Sequence, residues 1–260
     1  MERHKTSGYA PINGLNMYYE IHGDGPIPLV LIHGGGSTIQ TSFGNLLPLL
    51  AANSKIIAVE LQAHGRTSDR DAPESFEQDA DDVAALLNYL KVDKANFLGF
   101  SNGGTTALQI AIRSPEVVNK IVVVSGAYKR DGFIPGFFEG FPGATLANMP
   151  ESLQKAFLAV TPDKNKLQNM FEKDVARMIN FTDISDDAVS VIKAPALFIV
   201  ADRDVITVEH TQQMAQLLPN GQLVVLPGLH GAIIGELGMV KEGSKLPAVS
   251  ALLVDEFLNG

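Results

Sequence analysis

Short runs that are apolar throughout recur along the chain. They are PLVLI from Pro28, KIIAVEL from Lys55, ANFLGF from Ala95, KIVVVSG from Lys120, ALFIVAD from Ala196 and GQLVVLPG from Gly221. Each has the length and β-branched content of a buried strand. Between them lie stretches with helical spacing. The clearest begins at Ser75, where Phe76, Ala80, Val83, Leu87 and Leu90 share one face and Ser75 with Gln78 fits a capping box. NGGTTALQIAIRS, TVEHTQQMAQLL and the last fifteen residues, LPAVSALLVDEFLNG, read the same way. TIQTSFGNLLPLLA has helical spacing too, weakened by Gly44 and Pro48. Near the N-terminus, Asn13-Gly14 separates two strand-like runs and predicts a tight hairpin.

This alternation predicts an α/β fold with a mostly parallel sheet of about eight strands, covered by helices on both faces, with the hairpin as an antiparallel edge. Residues 1–260 read as one domain. The rhythm breaks between 127 and 190, which opens on GFIPGFFEGFPG and continues into two helical stretches, ESLQKAFLAV and KLQNMFEKDVARMINF. This segment is expected to be a helical insertion over one end of the sheet. Seven of the 13 phenylalanines fall in it. Phe133, Phe137, Phe138 and Phe141 lie in a stretch too interrupted to form a helix core and are candidates for an apolar substrate wall. Phe157, Phe171 and Phe181 suit either that wall or the insertion's own core.

Composition narrows the function classes. The mean hydropathy of +0.11 and 45% hydrophobic content suit a globular protein. A net charge of −9 without a dense basic run argues against a nucleic-acid partner. The lack of cysteine excludes disulfides, thiol catalysis and Cys-zinc sites, and favours a cytoplasmic setting. The polar N-terminus has no apolar leader, although a trimmed signal peptide would leave no trace, and no run is long enough to span a membrane. Histidine and carboxylate spacing suggests no metal site, and no nucleotide-binding glycine motif occurs, so no cofactor is expected. Glu77, Asp79, Asp81 and Asp82 are expected to be a solvated, acidic helix start. A homodimer is compatible with these features.

Candidate chemistry sits at strand ends. NFLGFSNGG places Ser101 between Gly99 and Gly103, directly after a strand. A serine hydroxyl needs a base, a group that orients the base, and donors for an oxyanion. Asp202 and Asp204 follow ALFIV, His230 follows GQLVVLPG, and His33 with three glycines follows PLVLI. In an open α/β sheet these ends gather at one edge.

The pattern resembles the α/β-hydrolase superfamily, in the capped, serine-esterase-like form. The resemblance rests on the serine elbow, the order serine, acid, histidine, the loop VELQAHGRTSD and the strand LVLIHGGG. It implies Ser101 as nucleophile, His230 as base and Asp204 as the orienting acid, with Asp202 as the alternative carboxylate. It implies an oxyanion hole from the backbone N–H groups of Asn102 and Gly35, with Gly34 or Gly36 as alternatives, and an Asn102 side chain aimed away from the site. It implies structural roles for His33 and His64, while His210 is expected at the surface. The chain departs from the family at Glu60, where aspartate is usual, and at Ala63, where glycine is usual. The expected activity is hydrolysis of a small or medium ester, or a related acyl compound, through an acyl-enzyme. A perhydrolase or carbon–carbon lyase with the same residues, and a slow ligand receptor, are the alternatives.

Overall fold

The computed structural model describes residues 5–260, so His4 lies outside it. Eight strands form one sheet. β1 (Lys5–Ile12) and β2 (Leu15–His22) make the hairpin, followed by β3 (Leu29–Ile32), β4 (Ile56–Val59), β5 (Ala95–Phe100), β6 (Val118–Val124), β7 (Ala196–Arg203) and β8 (Gly221–Leu229). Their spatial order is β1-β2-β4-β3-β5-β6-β7-β8, antiparallel from β1 through β4 and parallel from there to β8. Asn13 and Gly14 both have positive φ, 46° and 84°, as a two-residue turn matched to strand twist requires.

The strands alternate between two cores. Val30, Ile32, Ile57, Val59 and Phe97 pack on one face, and Leu29, Leu31, Ile56, Ala58, Leu98 and Phe100 on the other. Successive side chains of a strand point to opposite faces, so a run apolar throughout fits only a sheet covered on both sides. The first face is covered by α3 (Phe76–Tyr89), α4 (Asn102–Arg113) and α8 (Val208–Leu217). The second is covered by α1 (Ile39–Phe43), α2 (Leu47–Leu50) and α9 (Leu246–Asn259). α1 and α2 are the halves of the predicted TIQTSFGNLLPLLA helix, which breaks at Gly44. β8 departs from the expected fully buried strand: it is an edge, and its Val225 is exposed.

Between β6 and β7 run short 3-10 turns, then α5 (Glu151–Val160), α6 (Lys164–Ile179) and α7 (Asp186–Ser190). Tyr128, Ile184 and Val189 pack into the sheet's first core, so both ends of this segment are anchored in the body. Its middle is held by charge. Arg177 of α6, with a side chain 2% exposed, donates to Glu74 at 2.6 Å and lies 2.9 Å from Asp79 of α3. Arg70 donates to Asp82. The acidic start of α3 is therefore not the solvated cluster that charge patterning predicts. Asp79 and Asp82 are each 1% exposed and paired with arginines from elsewhere in the chain. Glu77 and Asp81 keep solvent contact. The capping box is half made: Ser75 caps the Gln78 amide, but the Gln78 side chain donates to Asp82 instead.

Removing one partner of a buried ion pair strands the other's charge, which costs about 3–5 kcal/mol. Arg177→Leu is expected to lower unfolding stability by about that much, since two carboxylates lose their counter-ion. Arg113→Ala, which breaks a half-exposed pair with Asp81, should cost less than about 1 kcal/mol. Urea unfolding of both variants checks this, and equal small losses would contradict the buried-pair account.

Candidate active site

The turn after β5 explains its own glycines. A Cβ on Gly99 would lie 1.9 Å from the Gly103 carbonyl oxygen, and one on Gly103 would lie 2.2 Å from the carbonyl oxygen of Ile32 at the end of β3. Only glycine permits the start of α4 to press this closely on two strands. The chain meets that approach by reversing sharply at Ser101, whose φ of 54° and ψ of −120° lie outside the ordinary regions. Such a conformation costs roughly 1–3 kcal/mol and persists only where packing imposes it. It lifts the Ser101 side chain out of the turn and into a cavity.

His230 and Asp204 meet Ser101 there. His230 Nε2 lies 3.0 Å from Ser101 Oγ, and its Nδ1 lies 2.6 Å from Asp204 Oδ1. A carboxylate only accepts, so this bond places a proton on Nδ1 and leaves Nε2 free to accept one from the hydroxyl. Asp204 is itself held. Its Oδ2 accepts from Ser125 Oγ at 2.6 Å, and its Oδ1 from the Ile206 N–H at 3.2 Å. Burial works against its charge, but the His230, Ser125 and Ile206 contacts outweigh it, and its pKa lies below the ordinary aspartate value. Burial also disfavours an imidazolium at His230. The bond and charge of Asp204 more than offset this, so the His230 pKa is raised. Asp202 points elsewhere: it is about half exposed and accepts from the Gly228 N–H at 2.7 Å.

The cavity has a volume of about 310 Å³. Gly35, Ser101, Asn102, Asp174 and His230 line it, and Phe133, Phe137, Phe141, Phe171, Met178 and Ile206 among others form its apolar walls. Phe138 does not line it. Its ring packs beneath the Arg130 guanidinium, 3.7 Å from the ring centre, and against Phe137 and Phe181, so it supports the wall from behind. Phe157 is buried among Met149, Leu167 and Met170, Phe181 packs behind the wall against Phe133 and Phe138, and Phe171 reaches the cavity. A second chamber of about 270 Å³ adjoins the same Ser101 and His230 and includes Glu236 and Met239.

Two further residues depart from expectation, Asn102 and His210. The Asn102 amide does not turn away: its Nδ2 sits against Gly35, 2.6 Å from where a Cβ would stand. His210 is buried rather than at the surface and stacks on Tyr128. His33 holds the glycine loop, with Nδ1 2.8 Å from the Gly34 carbonyl and Nε2 accepting from the Leu61 N–H. Glu60 is buried and binds the Arg66 amide and guanidinium. Ala63 has a φ of 60°, the left-handed geometry for which glycine is the usual choice. Ser125, which secures Asp204, and Asp174, which reaches the site from α6, carried no local sequence signal. Among the described residues, no group of three or more His, Cys, Asp or Glu is placed to hold a metal, and no helix is long and apolar enough to cross a membrane.

Comparison with known proteins identifies the fold. A sequence model of the α/β hydrolase fold matches residues 27–173. The putative carbamate hydrolase RutD of Azorhizobium caulinodans is 31% identical over 66% of this chain and 65% of its own length. Among solved structures, Est816, described as an N-acyl homoserine lactone degrading enzyme, is 25% identical with a TM-score of 0.70, over 94% of this chain and 98% of that one. The meta-cleavage product hydrolase CumD of Pseudomonas fluorescens IP01 shares the fold, with a TM-score of 0.79 at 20% identity, over 98% and 97% of the two chains. The first curated relatives are matched over only about 35% to 65% of their own length. The chain belongs to the α/β hydrolase fold family.

Proposed function

We propose that this protein is a serine hydrolase that cleaves a small or medium ester, or a related acyl compound, through an acyl-enzyme. The observation that carries the reading is the line Ser101–His230–Asp204, closed by two hydrogen bonds and opening on an apolar cavity. His230 takes the Ser101 proton as Oγ attacks the carbonyl carbon, then passes it to the leaving group; Asp204 stabilises the imidazolium between these steps. Water attacks the acyl-enzyme by the same route in reverse. The N–H groups of Gly35 and Asn102 receive the negative oxygen. Among the described residues neither amide has a hydrogen-bond partner.

The cavity's volume suits a compact apolar group under Phe133, Phe137 and Phe141. The names of RutD and Est816, a carbamate hydrolase and a lactone-degrading enzyme, support an acyl substrate. The chemistry requires no cofactor and no partner beyond the substrate, and the absence of cysteine supports a cytoplasmic setting. We assign the segment between β6 and β7 the role of a cap that sets substrate size.

An organophosphonate probe should modify Ser101 alone, and Ser101→Ala should lower kcat on a p-nitrophenyl ester by roughly 10⁶. Peptide mapping after labelling decides; modification of Ser37 or Ser125 instead would end the reading.

The two aspartates separate cleanly. Asp204→Asn keeps the shape but favours the wrong tautomer of His230, and should cost roughly 10⁴ in kcat. Asp202→Asn should cost less than about tenfold, because its role is a loop contact. The reverse ranking, in variants with matched melting behaviour, would reassign the acid.

The pH dependence follows from the raised pKa of His230. Only the neutral imidazole can accept the Ser101 proton, so kcat/KM should rise with pH through that pKa and fall on its acid side. The inflection is expected above the ordinary histidine value of 6.5. An inflection below that value contradicts the Asp204–His230 coupling.

A further inference from the structure

Three glycines in a row can turn more than one amide toward a substrate. In this loop two of the three are engaged. The Gly34 N–H points to Ser42 Oγ at 3.4 Å, and the Gly36 N–H donates to Asp174 Oδ2 at 2.6 Å. Gly35 is left between them, beside Ser101. Asp174 comes from α6, 138 residues further along the chain.

Asp174 Oδ2 has a second partner, His64 Nε2 at 3.0 Å. His64 Nδ1 lies 2.8 Å from the Gln62 carbonyl. A carbonyl and a carboxylate both only accept, so both ring nitrogens carry protons and His64 is an imidazolium. This pair is buried: the side chains are 1% and 13% exposed. A lone carboxylate next to the Gly35 amide would oppose negative charge forming on the substrate oxygen, and in a dry site that opposition is poorly screened. The imidazolium cancels it.

We propose that Asp174 and His64 are paired positioning residues for the oxyanion loop. Asp174 pins Gly36 so that Gly35 is the free donor, and His64 neutralises the carboxylate that does the pinning. This rests on the reading of Gly35 and Asn102 as the oxyanion donors. It makes the segment over the cavity part of the catalytic geometry, since α6 supplies the pin.

The charged surroundings of His64 come from three elements, with the His33 ring packed on it from a fourth. α6 supplies Asp174 and Arg177, the loop before α3 supplies Glu74, with Oε1 3.9 Å from Nδ1, and α3 supplies Asp79. The His33 ring lies against it from the end of β3, 4.8 Å between centres. Arg177 is engaged by Glu74 and Asp79, which leaves His64 as the counter-ion of Asp174. Burial disfavours charge on His64, but Asp174 outweighs it and the pKa is raised to about 9. Burial pushes the Glu74 pKa up, while the charges of Arg177 and His64 work against that rise.

Two measurements test the proposal. The first needs no turnover: the ¹⁵N imidazole resonances of His64 in the intact protein. Doubly protonated His64 at pH 8, becoming singly protonated in Asp174→Asn, is the expected result; a neutral His64 at pH 8 in the wild type overturns the proposal. The second is a double-mutant cycle on a p-nitrophenyl ester. His64→Gln should lower kcat about 10- to 100-fold with KM changed less than about threefold, approaching the ~10²–10³ effect of losing an oxyanion donor. Asp174→Asn keeps an acceptor for Gly36 and should cost less than about tenfold. The double variant should match Asp174→Asn, because no stranded carboxylate remains. If the His64→Gln loss persists undiminished in the double variant, His64 acts by packing and the proposal fails. Phosphonate labelling of Ser101 in all four proteins keeps the two readings apart: a wild type that is neither labelled nor active sinks the proposed function, whereas full labelling with an additive cycle sinks only this inference.

Discussion

The structure depends on one close approach. The first turn of α4 presses against the ends of β3 and β5 at a distance that leaves no room for a Cβ on Gly99 or Gly103. That contact brings β5 to an abrupt stop and bends the backbone at Ser101 into positive φ. It also brings the glycine loop after β3 beside the same serine, since Gly103 lies against the carbonyls of Ile32 and His33. Nucleophile candidate and glycine loop are thus set by one backbone contact. The remaining partners arrive on neighbouring parallel strands, whose carboxyl ends all open on one edge of the sheet. Asp204 follows β7 and His230 follows β8, so pairing these strands brings acid and histidine into register.

Around this rigid floor the structure uses charge where the floor uses packing. Arg177, His64, Asp174, Glu74 and Asp79 form a buried ionic cluster that joins α6 to α3 and to the loops beneath the cavity. A cluster of this kind adds little stability relative to a packed apolar substitute, but it fixes one geometry because every wrong arrangement strands a charge. Its location between the cavity wall and the glycine loop makes that specificity useful. The apolar wall is built differently, from phenylalanine rings stacked on one another, with Phe138 and Phe181 supporting those that face the cavity.

Sequence pattern reaches the sheet, its two-sided burial, the hairpin and the residues at the strand ends, because each of these is written within a dozen neighbouring positions. Ser101, His230 and the aspartates Asp202 and Asp204 stand out because strand ends converge and only a few polar residues stand there, and the family resemblance points to Asp204 of the two. The failures are long-range. Charge patterning reads Asp79 and Asp82 as solvated, since the partner of Asp79 stands 98 positions away and that of Asp82 lies outside its helix, on the loop before it. His210 looks like a surface helix residue because nothing local announces Tyr128. Asp174 and Ser125 have no motif at all; their significance exists only once the fold places them beside Gly36 and Asp204. Phe138 shows the limit from the other side, since composition marks an aromatic wall but not which ring of a neighbouring pair faces inward.

The account turns on a covalent intermediate at Ser101. Rapid mixing with p-nitrophenyl butyrate, acid quenching within milliseconds and mass analysis of the digested protein tests that most directly. The account predicts a burst of p-nitrophenol close to one equivalent per chain, with a butyryl adduct on the peptide that contains Ser101. Turnover of the ester without a burst and without any acylated peptide, or with the adduct on another residue, would contradict it.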